Sequence, residues 1–133
     1  MCLKATRSTP YNHSGTAYKL LARSAGRYTS PFQYTCWDKN QLKANCATKA
    51  TRGQVNWGIH VFPHLRDALH CFKHNIGRKH SGFALVKLHV RGFIAAGKHI
   101  HYSQNGNGLL GECWTRAKIT KVLHEKSASR GWY

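Results

Sequence analysis

The chain has 133 residues, 41% of them hydrophobic, with four Trp, six Tyr and five Phe. That is the size of one domain, with enough apolar area for a core of its own, and it excludes a wholly disordered basic tail. Twenty-one Lys and Arg face four acids, Asp38, Asp67, Glu112 and Glu125, for a formal net charge of +17. Small soluble domains ordinarily carry a net charge of magnitude about 2–8. A body this self-repelling is relieved by an anionic partner, most commonly nucleic acid. So few acids also disfavour chemistry that needs two carboxylates in one cleft.

The cations run from Lys4 to Arg130 without a block of like charges, so the charge belongs to a folded surface. The five cysteines, at 2, 36, 46, 71 and 113, contain no CxxC and no framework spacing, and the N-terminus lacks the apolar run of a signal peptide. A reducing, intracellular setting in cytoplasm, nucleus or virion is the expectation. No stretch approaches the ~20 consecutive apolar residues of a membrane span.

In chain order, residues 1–15 read as a polar basic arm bearing Lys4 and Arg7, residues 16–123 as a single domain, and residues 124–133 as a polar tail. Thr16–Arg23 is strand-like, and the aromatic and Thr-rich run Tyr28–Thr35 reads as an edge strand because of Pro31. Residues 38–54 read as a long loop. Val55–Phe62 reads as a strand, followed by Pro63 at a helix first turn. Leu65, Ala68, Leu69 and Phe72 then recur at helical spacing up to the stop signal Gly77. After Gly82 the sequence alternates, with Leu85, Lys87, His89 and Arg91 on one face and Val86, Leu88 and Val90 on the other. A further strand covers 98–102. The Asn105-Gly106-Asn107-Gly108 turn precedes a last strand over about 112–123. The sum is an α+β domain: a mainly antiparallel sheet of about five to seven strands with one principal helix near residues 63–76.

Basic side chains alternate with aromatics in several places, a composition in which cations grip phosphate and rings stack on bases. The candidate nucleic-acid-binding residues are Arg27, Lys87, His89, Arg91, Lys98, Trp114, Arg116 and Lys118, although two or more of Trp37, Trp57 and Trp114 are expected in the core. His99 and His101 share a strand face, where they contact phosphate or face water. His70 and His74 lie one helical turn apart with His64 and His60 upstream, but no second ligand pair at a zinc-site spacing accompanies them, so no metal is expected. Cys71 and His70 are neighbours on a helix and point about 100° apart, which does not suit a nucleophile and its base. Asp38 reads as a loop residue and Asp67 as a first-turn acid facing the helix dipole. Glu112 differs from these, because it follows a glycine-rich turn and opens a strand.

The residues Ala17-Tyr18-Lys19, then Gly58-Ile59-His60-Val61-Phe62-Pro63 with Asp67-Ala68-Leu69, a Val-rich strand ending at Gly92, and Lys118-Ile119-Thr120-Lys121-Val122 resemble a widespread group of small proteins of phages, large viruses and bacteria. This resemblance covers roughly residues 16–123 and implies no particular reaction. The same order of pieces also looks, at greater distance, like a compact ADP-ribosyltransferase. That likeness implies Glu112 as the acid orienting the ribose, with His60 or Arg23 on a nicotinamide dinucleotide (NAD) as cofactor, although Leu110 stands where a Glu-x-Glu motif has its first acid. The leading expectation is a non-enzymatic, cofactor-free basic module that binds nucleic acid, or docks on a nucleoprotein or viral assembly, through phosphate contacts.

Overall fold

The computed structural model describes residues 3–24, 27–29, 41–43, 54–55, 58–74, 82–104 and 107–127. They form strands β1 (Leu3–Arg7), β2 (Thr16–Ser24), β3 (Arg27–Thr29), β4 (Gln41–Lys43), β5 (Gln54–Val55) and β6 (Ile59–Val61), helix α1 (Leu65–His74), and the long strands β7 (Gly82–Gln104) and β8 (Asn107–Ser127). All pairings are antiparallel within one sheet, so the chain has the expected α+β class with one principal helix.

Everything is built on β7 and β8, which pair from Gly82↔Ser127 to Gln104↔Asn107. One edge of β7 takes β2, from Arg23↔Gly82 to Thr16↔His89, and then β1, from Arg7↔Ala96 to Leu3↔His99. The outer edge of β8 takes β6 at Glu112–Trp114 and β4 at Arg116–Lys118. Phe62, immediately after β6, exchanges two backbone hydrogen bonds with Tyr18 of β2 at 2.8 and 2.9 Å. A closed ring results, β2–β7–β8–β6 and back to β2. Ala17, Leu21, Ile59, Val61, Ala84, Val86, Leu88, Val90, Trp114, Ala117 and Ile119 form one buried cluster across these strands. Strand alternation sends Leu20, Ala22, Phe83 and Leu85 to the other face, where Ala68, Cys71 and Phe72 of α1 cover them.

That second layer explains a difference from the sequence pattern. Leu85 shares its face with Lys87, His89 and Arg91, yet it is fully buried against the helix layer, so the basic face begins at Lys87. On α1 the buried stripe is Ala68, Cys71 and Phe72, while Leu65 is exposed. The helix starts two residues after Pro63, and the His64 carbonyl accepts its first hydrogen bond from Ala68 N–H at 3.4 Å. Pro63 therefore precedes the first turn.

Three boundaries also move. Residues 3–7, expected in a basic arm, are strand β1, because Leu3 is buried beside Ala95 and Cys113 and the backbone pairs with β7. Residues 124–127, expected in the tail, pair with β7 as the end of β8. The stretch expected as a loop over 38–54 contributes β4 and part of β5. Residues 30–35 of the expected edge strand, Trp37, Trp57 and residues 128–133 lie outside the described residues.

The strand end expected at Gly92 lies inside β7 instead. Gly92 adopts φ 70°, and the Thr115 hydroxyl, which donates to Arg91 O at 3.2 Å, fills the space a Cβ would need. The register shifts between Phe93 and Ala95, so a bulge lets the strand turn without ending. Gly92→Ala combines the left-handed strain with displacement of Thr115 and is expected to destabilise the protein by about 1–3 kcal/mol. Urea denaturation at constant m-value measures the loss.

Candidate functional site

Two groups of polar side chains stand out, one on the surface and one inside. On the surface, Lys87, His89 and Arg91 of β7 lie directly opposite Lys121, Lys118 and Arg116 of β8. Every cross-strand pair is basic. Lys87 is half-buried and the other five side chains are exposed, and Arg91 Nε donates to His89 Nε2 at 3.4 Å. On the far side of β8, Lys43 of β4 lies opposite Arg116 in register. Like charges set opposite one another on a sheet are destabilising, so a stripe of them is an arrangement that an anion completes.

Among the described residues the acids lie elsewhere. Asp67 is buried at the start of α1 near Arg66, Glu125 pairs with Arg23 at 3.1 Å, and Glu112 is buried. From Lys87 to Arg91 the stripe spans about 13 Å. That matches the axial rise of about four nucleotides of one duplex strand at ~3.4 Å each.

Inside, Lys19, His60, His99, Glu112 and Cys113 are all buried around β6 and the middle of β8. The Lys19 ammonium donates to His60 O at 2.7 Å, and burial pulls its pKa down to about 8. The His99 ring donates through Nε2 to Val61 O at 3.0 Å and packs 4.6 Å from the Phe62 ring centroid. A Cβ on Gly111 would lie 2.4–2.7 Å from that ring, so only glycine lets it close against β8. Burial, with the neighbouring His60 adding to it, lowers the His99 pKa to about 3. Burial likewise pushes the Cys113 thiol up to about 12, against the pull of Lys19. The Glu112 carboxylate accepts from Tyr11 N–H at 2.7 Å and from the Trp114 indole N–H at 3.3 Å.

The sequence candidates therefore separate. Lys87, His89, Arg91, Arg116 and Lys118 come together on one face, and Lys121 joins them although it had not been singled out. Its register follows from the Gln104↔Asn107 end of the ribbon only across three shifts. Lys98 is exposed further along β7, opposite Lys4 of β1, as a second basic pair. Arg27 begins β3, opposite Ser24.

Trp114 is a core residue rather than a stacking surface: it is 7% exposed, with Phe93 edge-on at 5.2 Å. His99 faces neither phosphate nor water, because β1 and β8 flank it and its side chain is fully buried.

The three residues of the ADP-ribosyltransferase-like reading are not assembled. His60 pairs with Cys113 and Val61 with Glu112, so alternation sets His60 and Glu112 on opposite faces of the sheet. Arg23 lies five residues, about 16 Å, along β2 from Tyr18, with its guanidinium on Glu125.

Among the described residues no three His, Cys, Asp or Glu side chains converge to hold a metal ion. None of the described helices is long and apolar enough to cross a membrane. No family model matches the chain, and neither a curated protein nor a solved structure gives a significant match.

The buried imidazole makes stability pH-dependent. The folded pKa of His99 lies below its unfolded value of about 6.5, so the unfolded state binds more protons between roughly pH 6.5 and 3. The stability associated with the neutral ring is present above 6.5 and is lost as pH falls, at up to about 1.4 kcal/mol per pH unit. Chemical denaturation at pH 7 and pH 5 should show this loss in the native protein, and His99→Gln should flatten it.

Proposed function

We propose that this chain is a non-enzymatic basic module that binds nucleic acid through its phosphate backbone, on the face formed by Lys87, His89, Arg91, Arg116, Lys118 and Lys121. The observation that carries this reading is the register that sets three basic residues of β7 opposite three basic residues of β8. The net charge of +17 supports it, since such a body gains most from a polyanion. The contacts are to phosphates and give little sequence readout. A nucleoprotein or viral assembly is a setting in which such a module works. A reducing, intracellular compartment belongs to the same reading, and buried Cys71 and Cys113 carry thiols rather than a disulfide.

Binding to duplex DNA should weaken with salt. Five permanent cations on the stripe give a log–log slope of about −4.5 or steeper, measured by fluorescence anisotropy of a labelled duplex. Lys87→Gln with Arg91→Gln should reduce the slope by about 2 and weaken binding equally for unrelated sequences. A flat salt dependence rejects the phosphate reading, and an effect confined to one sequence replaces it with base readout.

A further inference from the structure

The stripe leaves unexplained Glu112, the one carboxylate among the described residues that the fold buries completely, and the loop that lies on it. Strands β2 and β1 pair with the same edge of β7, β2 as far as His89 and β1 from Ala96 onward. Residues 8–15 between them therefore run alongside the part of β7 that contains Arg91. This loop is tied at three points. At its start, the Arg7 guanidinium donates to Thr9 Oγ1 at 3.0 Å and to Pro10 O at 3.5 Å, and lies 4.4 Å from the Tyr11 ring centroid. In its middle, Tyr11 N–H donates to Glu112 Oε2 at 2.7 Å and the Tyr11 hydroxyl donates to Gly97 O at 3.4 Å. At its end, Gly15 O accepts from Val90 N–H at 2.8 Å, and a Cβ at Gly15 would lie 3.3 Å from the His89 ring.

Within the loop, Ser14 N–H donates to Asn12 Oδ1 at 3.0 Å and Thr16 N–H to Ser14 Oγ at 3.2 Å. The loop is thus bonded to itself as well as to the sheet, while Arg7, Ser8, Thr9, His13 and Ser14 remain exposed. An ionised carboxylate inside a fold is costly unless hydrogen bonds compensate it. The hydrogen bonds to Glu112 come from a backbone amide and an indole, and the amide belongs to this loop. An arginine already held over an aromatic ring loses less freedom on meeting a phosphate than a free one does.

We propose that the β1–β2 loop continues the nucleic-acid site along the edge of β7, that Arg7 contacts a backbone phosphate, and that Glu112, whose side chain lies on the inner face opposite the stripe, is a positioning residue that fixes the loop at that edge. This rests on the reading of the β7–β8 face as a phosphate-binding surface. The buried acid of β8 then serves binding, through the Tyr11 amide.

The test is a mutant cycle on the salt dependence of binding to a labelled 20-base-pair duplex of arbitrary sequence. Arg7→Gln should reduce the slope by about 1. Glu112→Gln, with every stripe cation intact, should reduce it by the same amount. The double variant should lose no more than either single one, because a released loop no longer delivers Arg7. A carboxylate that merely supports stability leaves the slope unchanged, and independent sites give additive losses; either result overturns the proposal. Should Glu112→Gln fail to fold, Arg7→Gln at an exposed position decides alone, and an unchanged slope overturns the proposal. Salt-independent binding by the native protein overturns the phosphate reading and this inference together. A native slope of −4.5 or steeper that Arg7→Gln does not alter overturns this inference only.

Discussion

The register of the β7–β8 pair is the constraint on which the other features rest. Strands β1 and β2 hang on one edge of this ribbon and β4 and β6 on the other, while β3 and β5 extend from β2 and β1. Side chains alternate along a strand, so a slip of one residue would exchange the buried and exposed sets. The interior packing of Val86, Leu88 and Val90 therefore dictates that Lys87, His89 and Arg91 face outward. Their basic partners on β8 are placed by the same packing, through Ala117 and Ile119. Charge repulsion across the ribbon opposes this register and hydrophobic burial enforces it. The cations are thus held close together by the core rather than by any of the described acids.

A second regularity concerns how the fold accommodates polar groups that it buries. Lys19 donates to His60 O and His99 to Val61 O, so consecutive carbonyls of β6 each accept from a side chain of another strand. β6 has three residues, too few for its own ladder to secure it, and these bonds add ties to β2 and β7 beside its pairing with β8. Glu112 does the same for the β1–β2 loop. In each case a backbone group bonds the buried side chain, joined at Glu112 by the neutral Trp114 indole, which satisfies the group without adding a counter-charge. The net positive charge of the molecule is consequently left for its surface.

Some of this was legible in the sequence, and for identifiable reasons. The amphipathic spacing of Ala68 and Phe72, the alternation from Val86 to Val90 and the scarcity of acids are local or compositional properties. They gave the helix, the central strand, the α+β class and the polyanion expectation. Gly92 carried a conformational signal but not its meaning, since a left-handed glycine serves a bulge as readily as a strand end. Composition placed two or more of Trp37, Trp57 and Trp114 in the core without saying which, and the burial of His99 and Glu112 had no local mark. Each depends on what lies across the sheet: Phe93 for the indole, Gly111 and Val61 for the imidazole, Tyr11 for the carboxylate.

What the sequence determined by itself was periodicity and charge, because both arise from the order of residues along the chain. Tertiary structure alone decided the ring closure through Tyr18 and Phe62, the incorporation of β1 into the sheet, and the pairing of Lys87, His89 and Arg91 with Lys121, Lys118 and Arg116. Those contacts join segments tens of residues apart, and bulges between Leu85 and Leu88 and between Phe93 and Ala95 shift the register along the way. A cross-strand partner depends on the sum of such shifts and on which face the core claims. Neither is written in the neighbours of any one residue, so the stripe exists only once the sheet is assembled.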